Sequence, residues 1–152
     1  MLALVAALTL ATAPPPTPEE DAAAVIDALH AAASSADGAA YFALFTPDAR
    51  FIGTDATERW SLDEFRAYAE PYFARGQGWT YTPVERNVTL APIQCMCIAW
   101  FDEVLENEAY GITRGSGVLR KTRSGWKIEQ YVLSFAVPND RARSVMEVIQ
   151  AE

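Results

Sequence analysis

Residues 94–137 read QCMCIAWFDEVLENEAYGITRGSGVLRKTRSGWKIEQYVLSFAV, and this stretch decides the fold. Polar and apolar residues alternate along it with a period of two, the pattern of β-strands whose two faces differ. Two polar segments suited to tight turns interrupt the alternation, at residues 106–108 and 122–124. The stretch therefore predicts three consecutive antiparallel strands joined by hairpins, over residues 94–105, 110–121 and 125–137.

Helical signals precede this stretch. Thr17, followed by Pro18 and acidic residues, marks the start of a first helix. Ser61, followed three residues later by Glu64, forms a capping box that starts another helix. A further strand is predicted over residues 79–91, bent at a proline. Because helices come first and a strand meander follows, the predicted class is α+β rather than alternating α/β.

The composition favours one domain with a real core and disfavours polyanionic partners. The chain has 152 residues, 51% of them hydrophobic, and a formal net charge of −8. Nucleic acids and anionic membrane surfaces are bound by clustered Lys and Arg, so this balance argues against both. A neutral or cationic ligand is slightly favoured.

The first residues predict export. Residues 1–13 form an apolar run that ends in Ala11-Thr12-Ala13, the pattern of a signal peptide and its cleavage site. The run is too short to span a bilayer, so no membrane insertion of the mature form is expected. Residues 14–18 follow as a stiff proline-rich spacer. A periplasmic or secreted protein is the resulting prediction.

Six fragments in a fixed order carry a resemblance to a known family. They are Gly53-Thr-Asp-Ala-Thr-Glu-Arg-Trp60, Trp79-Thr-Tyr81, Ala99-Trp-Phe-Asp-Glu103, Arg114-Gly-Ser-Gly-Val-Leu119, Gly125-Trp-Lys-Ile128 and Gln130-Tyr-Val-Leu-Ser134. Together they resemble the SnoaL-like branch of the nuclear-transport-factor-2-like superfamily. The resemblance places the domain at residues 19–138 and leaves residues 139–152 as a C-terminal helix or tail.

The resemblance implies a fold more firmly than an activity. It implies a cone-shaped, cystatin-like roll in which a curved antiparallel sheet wraps around N-terminal helices, with a pocket between them and frequent homodimers. The same fold hosts isomerases, cyclases, dehydratases and transport factors, so it does not imply one reaction.

One face of the predicted sheet has the composition of a ligand pocket. Alternation places Trp100 and Asp102 on this face, near Arg114 and Ser116 of the next strand, with Gln130 beyond them. Large apolar groups with a few separated polar groups are typical of small-molecule sites. We therefore expect Trp100, Arg114 and Gln130 to point into the hollow.

Three aromatic residues near the predicted third helix are further candidates for ligand contact. Tyr68 and Tyr72 lie one helical turn apart and should face the sheet or the cavity, and Trp60 precedes their helix. Core packing is the ordinary role of such residues, although a tryptophan can pack and contact a ligand at once.

The opposite face of the sheet is also apolar. It carries Phe101, Tyr131, Leu133 and Phe135. Exposed apolar patches of that size are rare on monomers, so a second copy is a natural cover, and a two-fold homodimer is predicted.

Acid–base chemistry has three candidate residues, Asp102, Asp55 and Arg114. Asp102 could accept a proton from a carbon acid while Arg114 stabilises an enolate oxygen, or the two could form a plain cross-strand ion pair. Asp55 and Glu58 could rim the pocket mouth. Alternatively, Asp55 caps a turn and Glu58 pairs with Arg59 or a neighbouring strand.

The histidine and the cysteines are given structural roles. His30 is expected to be half-buried or at the surface of the first helix, with general-base chemistry as the alternative. Cys95 and Cys97, predicted to lie in a strand, would be too far apart for a disulfide and are expected to be free thiols. No metal site and no cofactor is predicted.

Three functions follow from these patterns. The first is a protein with a mostly apolar pocket for a small hydrophobic molecule and no assigned reaction. The second is an isomerase- or cyclase-type enzyme that uses Asp102 or Asp55. The third is a non-catalytic homodimeric interaction module.

Overall fold

Four helices and six strands make up residues 13–151, the part of the chain that this computed structural model describes. In chain order they are α1 (Pro18–Ser34), α2 (Gly38–Ala43), β1 (Phe45–Ile52), β2 (Arg59–Ser61), α3 (Leu62–Phe73), β3 (Thr82–Leu90), β4 (Ile98–Asn107), β5 (Gly111–Thr122), β6 (Gly125–Phe135) and α4 (Ala142–Gln150). The fold is α+β, as predicted. The predicted signal segment, apart from Ala13, lies outside the described residues.

A single curved sheet of six strands, open at both ends, has the order β2-β1-β6-β5-β4-β3. Strands β3 to β6 form the predicted antiparallel meander. Strand β1 joins it in parallel beside β6, and β2 pairs antiparallel with β1 at the edge. The first three helices cover one face of this sheet, which we call the inner face.

Capping boxes start α1 and α3 at the predicted residues. Thr17 Oγ1 accepts a hydrogen bond from the Glu20 amide at 3.2 Å, and Glu20 Oε2 accepts one from the Thr17 amide at 2.6 Å. Ser61 and Glu64 make the same reciprocal pair, with the Ser61 amide donating to Glu64 Oε2 at 2.8 Å. Each pair satisfies amide groups that a helix start leaves without backbone partners.

A β-bulge in β6 exchanges the two faces of that strand. Leu119 pairs with Ile128, whereas the preceding residue, Val118, pairs with Gln130, so β6 contains one extra residue here. As a result Ile128 and Tyr131 are both buried on the inner face. Strict alternation along β6 would put Trp126, Ile128 and Gln130 on one face, but the bulge breaks the period of two, so Gln130 lies on the opposite face from Trp126 and Ile128.

The segment before β4 is a loop and not the beginning of the strand. Strand β4 begins at Ile98, and Met96 has a positive φ of 44°. The Cα atoms of Cys95 and Cys97 are 5.1 Å apart, and the two residues form a disulfide. The prediction of free thiols is wrong because it assumed an extended chain, which this loop is not.

The C-terminal residues contain helix α4, whose side chains are exposed. Among the helices that the structure describes, none is both long and apolar enough to cross a membrane.

Candidate functional site

A cleft of about 420 Å³ lies between α3, the β1–β2 pair and the inner face of the sheet. We call it the aromatic cleft because eight of its lining residues are aromatic: Phe51, Trp60, Phe65, Tyr68, Tyr72, Trp79, Tyr81 and Tyr110. Gly53, Thr54, Glu58 and Leu133 complete the lining. Its size falls within the range of small-molecule pockets, roughly 300–1,000 Å³.

Parallel rings form one wall of the aromatic cleft. The Phe51 and Phe65 ring centroids are 3.8 Å apart with 12° between the ring planes. Trp60 stacks on Phe65 at 5.6 Å and on Tyr68 at 5.0 Å. Helix α3 presents Phe65, Tyr68 and Tyr72 on one side because they are separated by three and four residues. This wall of the cleft is therefore a series of stacked rings that runs from the buried Phe65 to the exposed Tyr68.

Two tyrosines of the cleft, Tyr68 and Tyr81, keep their hydroxyl groups protonated at neutral pH. Tyr68 and Tyr72 lie at the mouth and are 49% and 40% exposed. Partial burial, and then the neighbouring Tyr72, Glu58 and Tyr110, raise the pKa of Tyr68. Burial and the nearby Tyr110 raise the pKa of Tyr81 to about 12. Both hydroxyls can therefore donate and accept hydrogen bonds.

Glu58 is the one charged side chain among the described residues that line the aromatic cleft. Its Oε2 atom accepts a hydrogen bond from the Asp55 amide at 3.2 Å. The carboxylate lies against the backbone of Gly53, where any larger residue would place its Cβ in contact with Oε2. These contacts hold a negative charge at a fixed place in the lining.

A second polar centre lies deeper, around Glu103 on the inner face of β4. This side chain is fully buried. Its Oε1 atom is 2.8 Å from His30 Nε2 and accepts a hydrogen bond from the Tyr131 hydroxyl at 3.2 Å. Its Oε2 atom accepts one from Arg86 Nε at 2.9 Å, and Arg86 Nη1 also donates to Asp27 at 2.6 Å. We call these five residues the Glu103 cluster.

The charges within the cluster keep Glu103 ionised at neutral pH. Burial alone would raise the pKa of this carboxyl, but the hydrogen bonds and charges of His30 and Arg86 outweigh it and lower the pKa. Burial and the nearby Glu103 raise the pKa of Tyr131 well above its ordinary value, so this tyrosine stays neutral.

The aromatic cleft and the Glu103 cluster are separated by one layer of side chains. A small cavity of about 20 Å³ lies beside His30 and Tyr131. Its wall shares Phe51, Trp79, Tyr81 and Leu133 with the cleft. These four shared side chains therefore lie between the two spaces.

The lowered pKa of Glu103 predicts a loss of stability in acid. The unfolded chain binds a proton at the ordinary glutamate value of 4.5, above the value in the folded state. The stability that the ionised Glu103 contributes to the fold is therefore fully present above pH 4.5 and is lost as the pH falls from 4.5 toward the lower pKa of the folded state. Urea unfolding across this range should show a smaller decline for Glu103→Gln than for the natural chain. Parallel curves for the two proteins would contradict this assignment.

Sequence reasoning missed the Glu103 cluster. His30 is partly buried, which lies within the predicted range, with a side chain that is 11% exposed, but its contact with a buried carboxylate was not predicted. One sequence feature pointed to this cluster: a glycine, Gly115, stands in β5 directly opposite Glu103 in the neighbouring strand. A Cβ at Gly115 would lie 2.8 Å from Glu103 Oε1 and 2.6 Å from the Tyr131 hydroxyl. This glycine leaves the space that the cluster occupies.

The predicted site residues separate into two groups. Trp60, Tyr68 and Tyr72 line the aromatic cleft together. The other predicted ligand contacts lie on the outer face of the sheet, away from the helices: Trp100, Asp102, Arg114, Ser116 and Gln130. The expectation that Trp100, Arg114 and Gln130 point into the hollow is wrong. Alternation sorts residues into two faces, but both faces are partly apolar and it does not tell which one the helices cover.

The predicted acid–base candidates make ordinary structural contacts. Arg114 Nη1 donates to Asp102 Oδ2 at 3.4 Å, and both side chains are about half exposed. Asp55 Oδ1 accepts hydrogen bonds from the amide and the hydroxyl of Thr57, which lower the pKa of Asp55. These contacts match the cross-strand ion pair and the capped turn given above as the structural alternatives.

The curved open sheet over N-terminal helices defines the class of protein: an α+β domain of the nuclear-transport-factor-2-like, or cystatin-like, type. The family comparison is more specific, since residues 22–138 match the SnoaL-like domain. The chain belongs to the SnoaL-like domain family. No curated protein matches the chain in sequence.

Solved structures of the same fold come from several bacteria. A candidate dehydratase of the nuclear-transport-factor-2-like family from Streptomyces avermitilis is 14% identical, with a TM-score of 0.66 over 79% of this chain and 96% of that one. A candidate ketosteroid isomerase from Shewanella frigidimarina is 22% identical, with a TM-score of 0.60 over 77% and 97%. A cystatin-like domain of unknown function from Nostoc punctiforme is 20% identical, with a TM-score of 0.65 over 91% and 89%. At these identities the likeness extends to the fold alone.

Proposed function

We propose that this chain binds a small, flat, mostly apolar organic molecule in the aromatic cleft. The observation that carries the proposal is a solvent-open space of about 420 Å³ lined by eight aromatic residues. A flat molecule can stack on the ring faces of Trp60 and Tyr68, while the hydroxyls of Tyr81 and Tyr110 orient its polar groups. Aromatic pairs of this kind contribute roughly 0.5–1.5 kcal/mol beyond the area that they bury.

Truncation of the two tyrosine side chains at the mouth of the cleft tests the proposal. Tyr68→Ala and Tyr72→Ala should each weaken a flat aromatic ligand several-fold in calorimetric titration, because each removes a ring face. Both side chains are partly exposed, so the fold should survive. Trp100→Ala is the matched control, since this aromatic side chain is 45% exposed but lies on the outer face. Equal affinities in all four proteins would contradict the proposal.

Proton transfer at His30 is a second candidate function. The Glu103 carboxylate favours it, because Glu103 Oε1 lies 2.8 Å from His30 Nε2 and fixes the orientation of the His30 ring. This ring borders the small cavity behind the cleft. A histidine oriented by a carboxylate is a recurring general base. The base would then be His30 rather than Asp102 or Asp55. Dehydration and ketosteroid isomerisation both require proton transfer. Two solved structures of this fold are a candidate dehydratase and a candidate ketosteroid isomerase.

An exchange experiment distinguishes catalysis from simple binding. A cyclic ketone that binds the cleft should exchange its α-hydrogens with deuterated water in the presence of the natural chain. His30→Gln should abolish this exchange and retain the affinity for the ketone, whereas Asp102→Asn should change neither. No exchange above the buffer rate, or full exchange by His30→Gln, would remove His30 as the base.

We also propose that a second copy of the chain covers the outer face. The face first expected to form the dimer contains Phe101 and Tyr131, which the helices of the same chain bury. The outer face instead exposes Trp100 and Ile112, at 45% and 44%. Sedimentation should give the mass of two chains at micromolar concentration, and Trp100→Arg should shift it toward one. The mass of a single chain in the natural protein would contradict the proposal.

A further inference from the structure

We propose that the aromatic cleft selects organic cations, of the aryl or alkyl ammonium type, over neutral molecules of the same shape. This inference rests on the proposed function, because it names the class of ligand for the same cleft.

The charges around the cleft favour a cation. Eleven of the twelve lining residues are uncharged, and the remaining one is Glu58. The described lining contains no Lys, Arg or His. The whole chain adds a net charge of −8, which draws cations toward it and repels anions.

Glu58 is placed to meet a ligand charge. In residues 13–151, no basic side chain forms an ion pair with it. Its carboxylate is held against Gly53 and the Asp55 amide, so it adopts its position before a ligand arrives. It also lies close enough to Tyr68 to contribute to the raised pKa of that hydroxyl. An ammonium group between Glu58 and Tyr68 would therefore meet a carboxylate and a ring.

The ring faces supply the second attraction. A cation within about 6 Å of an aromatic centroid is attracted by the negative face of the ring, most strongly by Trp and Tyr. Trp60, Tyr68, Tyr81 and Tyr110 are four such rings in one lining. The Tyr72 ring already has the Arg75 guanidinium 5.2 Å from its centroid, so the other four rings carry the inference. Sets of aromatic rings of this kind are a recurring means of binding quaternary ammonium groups.

An isosteric pair of ligands tests the inference. (4-Hydroxyphenyl)trimethylammonium and 4-tert-butylphenol have nearly the same shape and differ by one positive charge. Calorimetric titration at mildly acidic pH should show the cation binding roughly tenfold or more tightly than the neutral compound. Glu58→Gln should reduce this ratio several-fold and leave the neutral compound unaffected. Asp102→Asn, which removes a carboxylate from the outer face, should leave the ratio unchanged.

The outcomes separate the inference from the proposed function. If both compounds bind the natural chain equally, cation selection is wrong and the aromatic cleft remains a site for flat molecules. If neither compound binds, both the proposed function and the inference are overturned. Tyr68→Leu provides an independent variant, since it keeps an apolar side chain and removes a ring. It should also lower the ratio, and an unchanged ratio in both Glu58→Gln and Tyr68→Leu would overturn the inference.

Discussion

Glu103→Ala is expected to lower the free energy of unfolding by about 3–5 kcal/mol, the usual cost of removing one partner from a buried ion pair. The carboxylate has no exposed surface and makes contacts with His30, Arg86 and Tyr131. Without it, Arg86 retains its hydrogen bonds to Asp27 and to the Ala23 carbonyl but loses the buried carboxylate, and the Tyr131 hydroxyl loses its hydrogen bond to Glu103. Urea unfolding monitored by tryptophan fluorescence measures the change.

A partly exposed ion pair between β5 and β6 provides the control. Glu129 Oε2 accepts a hydrogen bond from Arg120 Nε at 2.7 Å, but the two side chains are 32% and 42% exposed. Pairs of this kind contribute at most about 1 kcal/mol, so Glu129→Ala should change the stability little. A loss for Glu103→Ala no larger than that for Glu129→Ala would show that the Glu103 cluster does not hold the inner face together.

Phe65→Ala should destabilise the chain by a similar amount, about 3–5 kcal/mol, because it removes a large ring from the centre of the aromatic core. Phe65 is 2% exposed. Its ring lies within 6.1 Å, between centroids, of those of Tyr41, Phe42, Phe51 and Trp60. The variant should also lose the floor of the cleft, so that any ligand that stacks on it binds more weakly.

Phe135→Ala is the control for Phe65→Ala, because it removes the same kind of ring from an exposed position instead of a buried one. This ring is 49% exposed and, within residues 13–151, has one aromatic neighbour, Tyr110, with the ring centroids 5.5 Å apart. Its removal should cost less than about 1.5 kcal/mol. Thermal and urea unfolding of the two variants should therefore differ clearly. Equal losses would contradict the assignment of Phe65 to the core.

Local patterns predicted the elements that depend on nearby residues. The capping boxes at Thr17 and Ser61 start helices where they were expected, because caps involve residues only three apart. The hairpins of the meander were predicted from alternation and turn residues. The helical spacing of Tyr68 and Tyr72 also predicted that they face the sheet or the cavity, and both line the cleft. The α+β class followed from the order of these elements along the chain.

The remaining features depend on contacts between distant residues. Trp100 and Phe101 are both large and apolar, and only the packing of the helices decides that Phe101 is buried. The extra residue in β6 exchanges faces without any local signal such as Gly or Pro. The His30–Glu103 contact joins residues 73 positions apart. A single sequence offers no means of pairing them, although Gly115 opposite Glu103 leaves the necessary space.

We propose that the inner aromatic cleft, and not the outer face, is the ligand site. The four tryptophans report on it by position: Trp60 and Trp79 line the cleft, Trp100 lies on the outer face, and Trp126 is buried in the core. Titration with (4-hydroxyphenyl)trimethylammonium, followed by nitrogen–proton correlation NMR of the indole groups, gives one signal for each. We predict that the Trp60 and Trp79 signals shift while those of Trp100 and Trp126 stay in place. A shift confined to Trp100 would contradict the account.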